Sequence, residues 1–307
     1  MTDLRAVLVT GATGLVGSRI VAALLARDTP VRVLTRDPEA ATRKLDARVA
    51  AIAWGGVTPP PEALADCDGV LHLAGEPVFG GLPTAARRRR IHDSRVDSTQ
   101  ALVNAIGDLP APNRPRSFVC ASAVGFYGDR GDERLDETAT PGDGFLAEVC
   151  RDWEAAALQA EGYGVRAAQL RIGIVLAREG GALPRLALPF RFGAGGRVGS
   201  GRQWVPWIHI DDLVALALAV LDSDDLRGPI NAVAPEPVRN AELTRVLGRV
   251  LKRPTLLPVP GFALRTALGE LAGELLGSRR VVPARALAHG FRFAQPDLEA
   301  ALARELL

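Results

Sequence analysis

Apolar positions along this chain alternate between two spacings. Ala6-Val7-Leu8-Val9-Thr10 is a short continuous apolar run, Leu15 to Arg27 carries apolar residues at helical intervals, and Val31 to Thr35 is again short and β-branched. Continuous runs of this length suit strands buried on both faces, and the three-to-four spacing suits amphipathic helices between them. The same alternation predicts strands at 49–54, 70–73, 117–121 and 165–170, with helices near 84–106 and 145–160. Strands interleaved with helices predict an α/β, doubly wound parallel sheet, the Rossmann fold.

After Leu176 the texture changes. Gly180-Gly181, the glycines from Gly193 to Gly201 and several prolines break the regular alternation. The pattern returns with Trp207-Ile208-His209-Ile210-Asp211-Asp212-Leu213, an Ala/Leu/Val helix, and the strand-like Ile230-Asn231-Ala232-Val233. The expected organisation is a dinucleotide-binding domain over 1–176 plus 206–234. A second, smaller, mostly helical C-terminal domain, which would bind the substrate, takes 177–205 and 235–307.

Composition narrows the function. Of 307 residues 48% are hydrophobic, enough for a packed core, and the net charge of +2 gives no bulk attraction for nucleic acid. The run Arg87-Arg88-Arg89-Arg90 leads into Ile91, Val96, Leu102, Val103 and Ile106 and reads as a solvated helix start. Cys67, Cys120 and Cys150 are an odd number without Cys-x-x-Cys pairing, which suits reduced thiols in a cytoplasmic protein. The chain runs from Met1 almost directly into its first strand, with no signal peptide, and no apolar stretch nears the roughly 20 residues of a membrane span.

The chemistry concentrates first in Thr10-Gly11-Ala12-Thr13-Gly14-Leu15-Val16-Gly17, directly after a strand and directly before a helix. Gly11 permits the tight turn, Gly14 lets the backbone approach a pyrophosphate, and Gly17 allows helix and strand to pack closely. Thr13, Leu15 and Val16 belong to the same cofactor-binding turn, where free N–H groups and the helix dipole favour an anion. The next strand ends in Leu34-Thr35-Arg36-Asp37. Thr35 and Arg36 offer a hydroxyl and a guanidinium suited to a 2′-phosphate, which favours NADP(H) over NAD, although Asp37 could still serve the ribose of NAD.

Several further stretches lie collinear with these: Leu71-His72-Leu73-Ala74-Gly75-Glu76, Ser122-Ala123-Val124-Gly125-Phe126-Tyr127-Gly128, Leu170 to Leu176, Pro206 to Leu213, Asn231 to Pro235 and Gly290-Phe291-Arg292-Phe293. With them the chain resembles, over nearly its whole length, the extended short-chain dehydrogenase/reductase superfamily, and more narrowly its NAD(P)-dependent epimerase/dehydratase-like group. The resemblance implies that Leu73, Ala74 and Gly75 lie along the cofactor, that Arg95 reaches it from the following helix, and that Val175 lines the nicotinamide end. A homodimer is compatible with it.

The usual chemistry of that superfamily takes a Tyr as acid/base, a Lys four residues later and a Ser that holds the substrate oxygen. Ser122 fits the serine, but Phe145 and Val149 stand where Tyr and Lys are expected. The only tyrosines are Tyr127 and Tyr163, followed four residues on by Gly131 and Ala167, so no Tyr-x-x-x-Lys exists in this chain. Ser122 and Tyr127 become the catalytic candidates, with Glu76, Phe145 and His209 as candidate substrate contacts; the simpler reading of His209 is a hydrogen-bonded histidine at a domain junction. Arg185, Arg191, Arg197 and Arg202 could meet an anionic substrate or simply face water. No metal, Walker-lysine or Gly-x-Ser-x-Gly motif is present. Two functions follow: an epimerase- or oxidoreductase-like enzyme acting on a small molecule with NADP(H), or a non-catalytic NADPH sensor.

Overall fold

The first strand shows how the sheet is built. In β1 (Val7–Thr10), Val7 and Val9 enter one apolar core and Leu8 the opposite one, the period-two alternation of a strand covered on both faces. The structure is a computed structural model that describes residues 5–78, 81, 84–255, 258–269 and 272–307. After β1 come α1 (Leu15–Ala26), β2 (Val31–Thr35), α2 (Pro38–Lys44), β3 (Ala50–Ala53), α3 (Pro61–Leu64), β4 (Gly69–His72), α4 (Ala85–Asp108) and β5 (Ser117–Ala123). A 3-10 turn over Val124–Tyr127 leads to β6 (Arg134–Leu135), α5 (Phe145–Leu158), β7 (Arg166–Ile172) and β8 (Ile174–Leu176).

The chain continues through α6 (Leu183–Arg191), β9 (Trp204–Val205), β10 (Trp207–His209), α7 (Ile210–Asp222), β11 (Gly228–Ala232), β12 (Val238–Arg239) and α8 (Asn240–Val250). It ends with α9 (Gly261–Leu268), α10 (Ala272–Leu276), β13 (Arg280–Val281), α11 (Ala284–Ala288) and α12 (Leu298–Leu306). Seven strands form one parallel sheet in the order β3-β2-β1-β4-β5-β7-β11. The fold is the expected Rossmann-like, doubly wound α/β sheet with an additional C-terminal helical region.

Helices cover both faces. Ile20 and Leu24 of α1 join Leu213, Leu216 and Val220 of α7 on one side, and Leu102, Val103 and Ile106 of α4 join Trp153 and Ala157 of α5 on the other. A separate core of Leu183, Phe190, Trp207, Leu243, Leu247 and Leu302 holds α6, α8 and α12 together. The C-terminal stretch is tied back by Asp212, whose carboxylate accepts from Ala294 N at 2.7 Å and Gln295 N at 2.9 Å.

The arginine run needs one correction. Arg89 and Arg90 are exposed, as a solvated helix start requires, but Arg87 is buried and donates to Pro77 O at 2.7 Å. Arg87 and Ile91 are one helical turn apart, so they share the inward face of α4. Among the described residues no helix is long and apolar enough to cross a membrane.

Candidate functional site

Strand order reverses between β1 and β4: the chain leaves β1 toward β2 and β3, then returns to lay β4 on its other side. In an open parallel sheet the crevice at the carboxyl ends of two such strands is where ligands bind. The glycine turn lies there. Gly11 has φ +66°, and a Cβ on it would come within 2.7 Å of the Leu73 carbonyl, so turn and β4 tip meet backbone to backbone. A Cβ on Gly17 would collide with Gly11 O, which fixes how closely α1 approaches the turn. Gly14, at the N-cap of α1, provides no side-chain acceptor, leaving the first-turn N–H groups to an incoming anion.

Behind the turn, a buried polar chain sets the crevice width. Thr10 Oγ1 accepts from Leu73 N and Ala74 N, both at 3.2 Å, and meets His72 Nδ1 at 2.7 Å; His72 Nε2 lies 3.2 Å from Ser98 Oγ. The Ser98 hydroxyl donates to Ser94 O at 2.8 Å, so it accepts from His72 Nε2–H, and Nδ1 accepts the Thr10 hydroxyl proton. Burial, assisted by the positive charge of Arg95, pushes the His72 pKa down to about 3 from its ordinary 6.5. The unfolded chain therefore binds this proton first. The stability contributed by neutral His72 is complete above pH 6.5 and is lost as pH falls toward 3, at about 1.4 kcal/mol per pH unit for one proton. Urea unfolding is expected to show a shallower loss between pH 6 and 4 in His72→Asn than in the wild type; an unchanged slope would assign the acid lability to another group.

In front of this chain runs an open groove of about 1130 Å3. Its lining includes Gly11, Thr13 and Gly14 of the glycine turn, Leu73, Ala74, Gly75 and Glu76 after β4, and Thr35 and Arg36 at the β2 tip. Arg36 is exposed and, among the described residues, in no ion pair. Asp37 is already employed: its Oδ1 accepts from Ala40 N at 2.9 Å and caps α2. Arg95 lies beneath Gly75, where an added Cβ would sit 3.0 Å from the guanidinium carbon, and its other side covers the Trp153 ring at 5.2 Å. Leu15 and Val16 open α1 beside the groove, and Val175 packs, half-buried, against the same core as Val16 and Leu73.

Ser122 and Tyr127 lie away from the groove lining and are joined through a second polar network. Ser122 Oγ donates to Glu154 Oε1 at 2.6 Å; Arg171 grips Glu154 through Nε at 2.9 Å and Nη2 at 2.8 Å, and its Nη1 donates to the Tyr127 hydroxyl at 2.9 Å. Tyr127 in turn donates to Asn231 Oδ1 at 2.7 Å, and the Arg171 guanidinium stacks 3.5 Å from the Phe126 ring centroid. Burial pushes the Tyr127 phenol up to about 12 despite the nearby Arg171. Burial alone would lower the Arg171 guanidinium, but its bonds to Glu154 more than offset that and raise it. Phe145 begins α5, half-buried. His209 is fully buried, pairing through Nε2 with Glu305 at 3.0 Å and accepting Asp211 N at 3.1 Å, which ties α12 to the start of α7.

The model of the NAD dependent epimerase/dehydratase family matches residues 7–232, and a domain of unknown function, DUF1731, matches 259–305. The chain belongs to the NAD dependent epimerase/dehydratase family. It is 41% identical over 304 residues to the "Epimerase family protein SDR39U1 homolog, chloroplastic" of Arabidopsis thaliana, covering 96% of this chain and 84% of that protein. It is 37% identical to "Epimerase family protein ML0860" of Mycobacterium leprae, over 96% and 94% of the two chains. The crystal structure of human epimerase family protein SDR39U1 (isoform 2) with NADPH superposes with a TM-score of 0.87 at 33% identity, covering 98% of each chain.

Within this family member the sequence did not single out Thr10, His72 and Ser98, or Glu154 and Arg171. Thr10 and His72 sit at strand ends whose polar side chains interrupt apolar runs, and that interruption was a usable signal. Glu154 and Arg171 carried none, because their partnership depends on α5 crossing β7. Cys67, Cys120 and Cys150 are all free and buried.

Proposed function

We propose that this chain binds NADP(H) along the groove at the β1–β4 reversal and acts on a small molecule at a carbon bearing oxygen. The observation that carries the cofactor choice is the contrast at the β2 tip: among the described residues Arg36 stands without an ion pair, while the acid next to it, Asp37, caps α2. The NADPH present in the human relative's crystal structure supports the same reading. Gly11, Thr13, Gly14, Leu15, Val16 and Gly17 would hold the pyrophosphate, Thr35 and Arg36 the 2′-phosphate, and Leu73, Ala74, Gly75, Arg95 and Val175 the remainder. When bound, the cofactor supplies or accepts a hydride.

Fluorescence titration tests the choice. Loss of a charge-assisted contact is worth about 1.5–3 kcal/mol, so Arg36→Ala is expected to weaken NADPH roughly 10- to 100-fold and leave NADH within about twofold. Equal wild-type affinity for the two cofactors, or no response of NADPH to Arg36→Ala, would refute the assignment. The missing Tyr-x-x-x-Lys favours a second reading, a sensor that binds the cofactor without turnover. Consumption of NADPH in the presence of a carbonyl compound separates the two.

A further inference from the structure

From Gly180 to Gly199 every residue is apolar or glycine except Arg185, Arg191 and Arg197. The acid-free stretch is longer. Residues 180–210 hold those three arginines, Arg202 and no Asp or Glu, and residues 243–269 hold five more cations and again no acid. The whole chain is only +2, so the remainder is net negative and the charge is divided between two regions. Asymmetry of this kind points to an anionic partner for the positive region.

The fold brings the two stretches together. Leu183 and Phe190 of α6 pack with Val246, Leu247 and Val250 of α8, while Val259 N donates to Arg197 O at 2.8 Å and Gly199 N to Val259 O at 2.9 Å. With Leu183, Ala187 and Phe190 committed inward, α6 leaves Arg185, Leu188 and Arg191 exposed, and Phe192 ends it. Leu188 is 53% exposed and Phe192 81%. Steps of three and four set Arg185, Leu188 and Phe192 along one face, with Arg191 beside them. Among the described residues neither Arg185 nor Arg191 takes part in an ion pair or a side-chain hydrogen bond.

We propose that this face of α6 docks on an anionic lipid bilayer, with Leu188 and Phe192 entering the boundary between headgroups and acyl chains and Arg185 and Arg191 meeting lipid phosphates. Helices that lie on a membrane surface combine these two features, bulky apolar side chains and unopposed cations, and need no spanning length. Nucleic acid would use the arginines and stack on Phe192, but it would leave Leu188 in water. The stretch also offers no Asn, Gln, Ser or Thr to a base edge, so lipid is favoured. Each arginine near an anionic leaflet is worth about fivefold in affinity, and burying a phenylalanine about tenfold or more. The contact is therefore reversible and peripheral.

Co-sedimentation of the full chain with sucrose-loaded vesicles measures the contact. Vesicles containing about one third phosphatidylglycerol are expected to bind at least about tenfold more tightly than phosphatidylcholine alone, and to lose about tenfold or more between roughly 0.1 M and roughly 0.5 M NaCl. Leu188→Ser with Phe192→Ser is expected to lower affinity at least about tenfold at either salt concentration. Arg185→Glu with Arg191→Glu is expected to lower it at least about 30-fold at low salt and much less at high salt. Arg89→Glu with Arg90→Glu makes the same change in net charge on α4, where both residues are exposed, and should leave binding within about threefold. All the substituted residues are exposed, so urea unfolding should match the wild type and separate loss of the surface from loss of the fold.

No binding to anionic vesicles, undiminished binding by the serine pair, or an equal loss in the α4 variant would each overturn the proposal. A DNA duplex that competes with vesicles and binds the serine pair as well as the wild type would reassign the face to nucleic acid. A dimer in sedimentation velocity that the serine pair dissociates, in a protein that ignores vesicles, would reassign it to a second copy of this chain.

Discussion

Glu154→Ala is expected to destabilise the fold by about 3–5 kcal/mol, the usual effect of leaving a buried charge without its partner. Arg171 is only 4% exposed and Glu154 12%, and the two share a bidentate pair, so losing the carboxylate leaves the buried guanidinium without its opposing charge. The consequences extend along the network, because the same guanidinium supports Tyr127 and lies on Phe126. The double variant Glu154→Met, Arg171→Met removes both charges together and is expected to recover much of the loss, as an apolar pair of similar volume can stand in for a buried ion pair. Urea unfolding measures both. An exposed pair gives the contrast: Arg43 and Glu39 on α2 are 70% and 88% exposed, and Arg43→Ala is expected to change stability by no more than about 0.5 kcal/mol. A Glu154→Ala effect as small as that of Arg43→Ala would mean that the network is solvated rather than buried.

The parallel sheet was legible because its strands are continuous apolar runs and its helices are long enough to show a period. Elements too short to show one were not. α2 and α3 begin at Pro38 and Pro61, in the first helical turn where a missing N–H does no harm, yet a proline read in isolation signals a break. The same ambiguity concealed α6, with Pro184 in its first turn and Pro189 inside it, within a stretch that reads as glycine- and proline-rich. At the groove, the glycine turn and the Thr35-Arg36 tip were legible because backbone geometry leaves a local signature. The role of Asp37 was not: whether it faces a ribose or caps α2 depends on where the helix starts, and the structure starts it at Pro38.

Gly14→Val and Gly17→Val are expected to fail in different ways, and the difference tests what the glycine turn does. At Gly14 the backbone has φ −75°, which any residue adopts, and an added Cβ meets only Gly11 O at 3.2 Å. The residue is exposed and lines the groove, so a valine there would project into the space an incoming pyrophosphate needs. The fold should survive with a stability loss of about 1 kcal/mol, while NADPH affinity falls at least about 100-fold because backbone N–H groups can no longer reach the phosphates. At Gly17 the added carbon would overlap Gly11 O and press on Ala12 Cα at 2.7 Å, both of them backbone atoms that cannot rotate aside. There α1 must move off the turn, so unfolding by urea should shift by about 3 kcal/mol or more, in line with overpacking at a buried backbone contact. Comparable destabilisation by the two variants would make the turn a packing device. A Gly14→Val protein that stays folded and still binds NADPH at wild-type affinity would place the pyrophosphate elsewhere.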